Sequence, residues 1–315
     1  MPIRQKVEPG ETPSALGTAS APDRADVAKH RLAEIWRPQP ASTDEDATEP
    51  LRTAARVRQE GLITGLEQTL ADRVEAFGAS DPEAIETQLQ LARAKLDAGH
   101  AADAIALLET VLEAIDRDEL GASAQRESAI AALAGAYLSA RRAHAAAALY
   151  ELLLRERAAP DHDQVALGYR IRLAVARRAS GDVGAAIEQL QALVEAHERT
   201  RALPDRLLEA VVELGRSHVV AGHAREGAAV YERALALAEE LHGAGHRATL
   251  EVRLLLARAF QQAGEVRRAV DAYQRLLSDA ELALGTGDRL IREITGELTV
   301  LPRFSVDEQS AQLGE

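Results

Sequence analysis

The sequence predicts an all-helical array of repeated helix hairpins, and three observations carry that prediction. Short breaks recur at Gly99, Arg141, Gly181, Gly222 and Gly264, spaced by 42, 40, 41 and 42 residues. Columns of small and large residues keep register with those breaks. The composition is 46% hydrophobic but only 3% aromatic, and much of the apolar share is alanine. Alanine is the strongest helix former and buries little area, whereas a sandwich or barrel calls for β-branched and aromatic residues.

The columns give the hairpins their physics. Eight residues before each break stand Leu91, Leu133, Leu173, Leu214 and Leu256, and the next residue is Ala92, Ala134, Ala174, Gly215 or Ala257. Five residues after each break come Ala104, Ala146, Ala186, Gly227 and Ala269, and four further on Leu108, Tyr150, Leu190, Tyr231 and Tyr273. Two helices approach closely only where small residues face each other, with large ones filling the space a turn away. That arrangement occurs five times.

The ends of the array read as partial units. Gly61 to Gly78 has the pattern of a second helix, whose first helix would fall on Pro50 and the acidic run and is therefore missing. Asp288 to Thr299 takes the place of a further first helix, and Pro302 stops it. The expectation is five full repeats with a half-repeat at each end, over residues 51–300, followed by a C-terminal tail, 301–315.

Residues 1–50 differ. Seven of the eleven prolines fall there, and Asp44, Glu45, Asp46 and Glu49 make its end acidic. Such a stretch cannot bury enough apolar surface to offset its ordering entropy, and a disordered tail is expected. One island, residues 23–37, holds Val27, Leu32, Ile35 and Trp36, the sole tryptophan. Leu32, Ile35 and Trp36 would share a helical face, and the island reads as a short docking helix for the chain's own groove or for a partner.

The remaining composition excludes classes of function. A net charge of −13 opposes binding to nucleic acid, which wants a basic face. No cysteine is present, which removes disulfides and thiolate metal sites. No run approaches the roughly 18 to 20 apolar residues of a membrane span, and Met1 to Ala21 lacks a secretory apolar region, so a cytoplasmic protein is expected. The basic residues are nearly all arginine, Lys6, Lys29 and Lys95 excepted. With the alanine content, this suggests a high-GC bacterial source.

The columns resemble those of the tetratricopeptide repeat: the Leu-Gly/Ala pair of its first helix, then Ala and Tyr/Phe of its second. The resemblance covers about four-fifths of the chain. The period exceeds the usual repeat of about 34 residues and places it nearer the kinesin-light-chain-like subclass, whose interrepeat loop Leu241-His242-Gly243-Ala244-Gly245-His246-Arg247-Ala248-Thr249-Leu250 resembles, with Ala159-Pro160-Asp161-His162 a weaker echo. The resemblance implies a right-handed superhelical solenoid whose first helices line a concave groove, and a protein or peptide as partner.

No catalytic or cofactor motif stands out: there is no phosphate loop, dinucleotide fingerprint, H-E-x-x-H or G-x-S-x-G. His242 and His246 lie in a Gly-rich loop, and Asp161-His162-Asp163 reads as a solvated loop. No cofactor, no metal and no enzymatic activity are expected.

In such an architecture the groove is lined by the positions ten, six and three before each break. Its candidate residues are Leu89, Arg93 and Leu96; Ile171, Val175 and Arg178; Val212, Arg216 and Val219; and Leu254 and Arg258, with Ala131, Gly135, Leu138 and Gln261 completing the columns. The lysine and asparagine carboxylate clamp of chaperone-binding relatives is absent, as is the asparagine pair of the kinesin-light-chain type. An apolar stripe flanked by arginines replaces them. The expectation is therefore an adaptor or scaffold binding an apolar or amphipathic peptide or helix. The alternative is a regulatory sensor whose groove takes a peptide or small ligand and signals to a separate output protein. The sequence leaves the oligomeric state open.

Overall fold

The computed structural model describes residues 45–117, 123–157, 163–200 and 204–301. The island with Val27, Leu32, Ile35 and Trp36, the echo at 159–162 and the tail beyond 301 lie outside the described residues. Within them every regular element is an α-helix: α1 (Glu45–Phe77), α2 (Pro82–Asp97), α3 (Ala101–Arg117), α4 (Ser123–Ser139), α5 (Ala143–Arg157), α6 (Gln164–Ala179), α7 (Val183–Thr200), α8 (Pro204–Val220), α9 (Ala224–His242), α10 (Arg247–Gln262), α11 (Val266–Leu284) and α12 (Arg289–Val300). From α2 to α11 they pair as hairpins, and each hairpin packs on the next.

Each break is a turn that ends one helix and starts its partner. At Gly99 the amide donates to the Leu96 carbonyl and His100 donates to Lys95, a left-handed helix terminus that satisfies two orphan carbonyls. Gly181, Gly222 and Gly264 repeat it with positive φ. Arg141 adopts the same conformation at φ 59°, the one positive-φ non-glycine residue among those described. A side chain there costs about 1 kcal/mol that glycine avoids. Arg141 is exposed, so Arg141→Gly is expected to raise stability by about 0.5–1 kcal/mol, read as a higher urea midpoint; an unchanged or lower midpoint contradicts this.

The return loops share a second device. Gly78, Gly243 and Gly285 close a helix with φ between 80° and 90°. Three residues on, Asp81, His246 and Asp288 cap the next helix, accepting from the amides of Glu83, Ala248 and Leu290. The loops at Gly78 and Gly285 are thus the same turn as the Gly243 loop, although only the latter is evident from its residues.

All twenty residues of the four crossing columns are buried. The first helix of one hairpin also touches the first helix of the next: α2 meets α4, α6 meets α8 and α8 meets α10, whereas no two second helices approach as closely among the described residues. First helices therefore form the inner layer, and the splayed second helices form the outer one.

Helix α1 departs from expectation. It begins at Glu45, inside the stretch read as a tail, and runs as one helix through Pro50. Pro50 is the sixth residue of α1, so it costs the helix one hydrogen bond, to the carbonyl four residues back, close to the helix start. The acidic residues read as tail composition favour a helix N-terminus. From Arg56 onward, Ile63, Leu66 and Leu70 pack on Leu91 and Ala94 of α2, and Lys95 Nζ reaches Glu67 at 2.7 Å.

Candidate functional site

The first helices of the inner layer are not closely paired throughout. Helices α4 and α6 lack the close approach made by α2 with α4 and by α6 with α8. There a cavity of about 640 Å³ opens on the inner face, walled by α2, α4 and α6 with Arg206 of α8 and Tyr150 of α5. Its floor is built from small residues, Ala131, Ala132, Gly135 and Gly168. A Cβ on Gly135 would meet nothing within 4 Å, so this position faces open space. Over Gly168 lies the Arg206 guanidinium, 3.5 Å from where a Cβ would stand.

Two tyrosines form the deep wall, with ring centroids 6.2 Å apart. Burial raises the Tyr150 hydroxyl pKa, and the nearby Arg172 charge opposes the rise. Burial, with the charge of Glu127 and a hydrogen bond to it, pushes Tyr169 up to about 12. Both are neutral donors at physiological pH.

The arginines of the inner face divide into committed and uncommitted ones. Arg178 donates to the Glu213 carbonyl and to Ser217 Oγ at 3.2 Å, and its guanidinium lies 2.8 Å from the Glu213 carboxylate. Arg216 joins the same carboxylate at 2.8 Å. Arg258 bridges to Glu293 and Glu297, both at 2.8 Å. Arg206 pairs with Glu209 at 2.6 Å. Arg93 and Arg172, both exposed, make no ion pair among the described residues, although both line the cavity.

The sequence-predicted groove residues thus separate. Arg93 and Leu96 line the cavity, together with Ala131 and Gly135 of the same columns. Leu89, Val175, Val212 and Val219 are half-buried, and Val212 packs against two adjoining core clusters. Ile171 and Leu254 are core residues, 0% and 5% exposed, and present no surface to a ligand. The stripe is not continuously open because Ile171 and Leu254 are taken up by the core clusters. Arg172, Arg206, Gly168 and Tyr169 were not among the predicted residues. Arg172 directly follows Ile171, and its signal is the absence of any acidic residue three or four positions away.

Other groups of note are accounted for locally. Asp163 caps α6 through the Ala166 amide and receives Arg157 at 3.1 Å. The Arg157 hydrogen bond, followed by the helix amides, holds its carboxyl below the usual range. His246 Nδ1 caps α10. A second cavity, about 510 Å³, opens on the outer layer between α9 and α11 over Leu256 and Phe260. Two of its arginines are engaged, Arg253 with Glu239 and Asp279, and Arg268 with Glu232 and Glu265, while Arg275 lines it without an ion pair among the described residues. Among the described residues no group of three acidic or histidine side chains is placed to hold a metal. No described helix is long and apolar enough to cross a membrane.

No family model matches the sequence, and no curated protein matches it. Solved structures do. The nearly identical TPR-like repeats of a putative kinesin light chain from Podosopora anserina align with 24% identity over 64% of this chain and 96% of that one, at a TM-score of 0.55. BtubC (BKLC) from P. vanneervenii gives 18% identity, 79% and 96% coverage and a TM-score of 0.57. A Rap protein complexed with Competence and Sporulation Factor gives 12%, 88% and 82%, and 0.51. At these identities the likeness is one of fold, and the fold is the tetratricopeptide solenoid.

Proposed function

We propose that this chain is a non-catalytic scaffold that holds a segment of a partner polypeptide on its inner face, in the cavity between α2, α4 and α6. The observation that carries the reading is the floor of Ala131, Ala132, Gly135 and Gly168. A peptide main chain needs close approach along its length, and a floor of small residues, open at Gly135, provides it. Ser128, exposed at the rim, supplies a hydroxyl for a peptide's polar groups. The solved Rap protein, alike in fold and complexed with Competence and Sporulation Factor, supports a partner-holding role.

The test fills the cavity without disturbing the fold. Because a side chain on Gly135 points into open space, Gly135→Trp is expected to block the site. Replacing glycine within α4 should leave stability equal or higher by up to about 0.5 kcal/mol. Peptides selected on the wild-type protein from a random display library should lose at least about tenfold in affinity for the variant, a cost of about 1.4 kcal/mol. Peptides that bind both proteins equally would place binding elsewhere.

A further inference from the structure

We infer that the cavity is specific for carboxylates: the segment it holds is acidic, and Arg93 and Arg172 select it. This rests on the reading of the cavity as a polypeptide site and names the chemistry of its occupant. The argument comes from comparing like positions in different repeats. Arg258 stands six before its break, as Arg93 does. Arg258 is held by acids 35 and 39 residues ahead, Glu293 and Glu297 on the next first helix. Arg178 reaches the same two offsets, at Glu213 and Ser217. The corresponding residues ahead of Arg93 are Ser128 and Ala132. The acids that saturate an inner-face arginine elsewhere are replaced here by a hydroxyl and a methyl group, both of which line the cavity.

Arg172 has no acidic residue at either offset, where Leu207 and Val211 stand. Its charge is felt at Tyr150, inside the cavity wall. Asp97 also lines the cavity at the end of α2, without an ion pair to Arg93, and Arg206 is neutralised by Glu209. The two uncommitted guanidinium groups therefore outnumber the one uncommitted carboxylate, in a chain whose net charge is −13. A planar guanidinium with free donors matches a carboxylate in geometry as well as sign.

Fluorescence anisotropy of the full chain with labelled synthetic peptides tests this. The probes are an acetylated, amidated peptide of repeating Glu-Leu-Ser units, its Gln-Leu-Ser and Lys-Leu-Ser counterparts, and the Gln peptide with a free C-terminal carboxylate. The Glu peptide is expected to bind about tenfold or more tightly than the amidated Gln peptide, with an advantage that shrinks at high salt. If the Gln peptide with a free terminus binds as well as the Glu peptide, the carboxylate recognised is that of a chain end. Arg93→Glu/Arg172→Glu, at exposed positions without partners, is expected to melt as the wild type does and to prefer the Lys peptide. Equal binding of amidated Glu and Gln peptides, both lost in Gly135→Trp, would overturn carboxylate specificity while leaving the site in place. No binding by any peptide would overturn both.

Discussion

Leu254→Glu and Ile171→Glu are each expected to cost about 3 to 5 kcal/mol, the penalty of an uncompensated buried charge. Ile171 packs with Leu167, Leu190 and Leu214, and Leu254 with Leu250, Tyr273 and Ile294, all buried. At 0% and 5% exposure, both positions lie away from water. Each repeat touches only its neighbours, so the loss falls first on the hairpins around the substitution. Hydrogen exchange should show α9 to α12 opening together in Leu254→Glu, with α2 to α5 protected. Leu89→Glu, half-buried, should retain the fold. If Leu254→Glu keeps wild-type protection throughout, its side chain is not part of the core. Substitutions at these two positions report stability, and a partner lost through them says nothing about a site.

The second large effect concerns the fourth hairpin, where α8 and α9 cross on glycine rather than alanine. A Cβ on Gly227 would stand 2.6 Å from Val219 Cγ2 and 3.1 Å from the Gly215 carbonyl oxygen. One on Gly215 would stand 2.7 Å from the Tyr231 ring. Valine in a helix has one comfortable rotamer, and the Tyr231 ring is 2% exposed, so neither neighbour yields freely. Overpacking costs about 1 to 3 kcal/mol per site, partly offset by about 1 kcal/mol of helix propensity. Gly215→Ala/Gly227→Ala is expected to lose about 2 to 3 kcal/mol, although it restores the residues of every other hairpin. The reciprocal Ala134→Gly/Ala146→Gly should lose about 2 kcal/mol for the opposite reason, propensity and an unfilled gap. Urea denaturation of both pairs decides it; a stabilised double-alanine variant would show that the helices can separate at little cost.

Much of the architecture is legible because it depends on local rules. A hairpin needs small residues at its crossing and a left-handed terminus at its turn, and both recur near 41 residues. Even Arg141, which breaks the glycine rule, is found by counting. The course of α1 is not, because proline and acidic residues describe a tail and a helix N-terminus equally well. The groove columns name the first helices correctly but not their exposure. Whether Ile171 or Val175 reaches solvent depends on the neighbouring hairpin. The state of the arginines was closer to hand. Glu293 and Glu297 ahead of Arg258, against Ser128 and Ala132 ahead of Arg93, are written in the sequence, but they gain meaning only once the offsets of 35 and 39 residues are seen to bridge adjacent helices. The gap between α4 and α6, which makes the cavity, has no counterpart in any residue pattern we recognise.

Among the described residues, helices make close contact only with the next helix or the one after it. That restriction bears on how the chain is made. Because no early segment awaits a late one, contact order is low and the entropic cost of loop closure is small. As the polypeptide leaves the ribosome, α2 and α3 can settle once α4 follows, while the final hairpins are still being synthesised. Assembly then runs in the order of translation, and the carboxylate-selective cavity on α2, α4 and α6 takes shape well before the chain is complete.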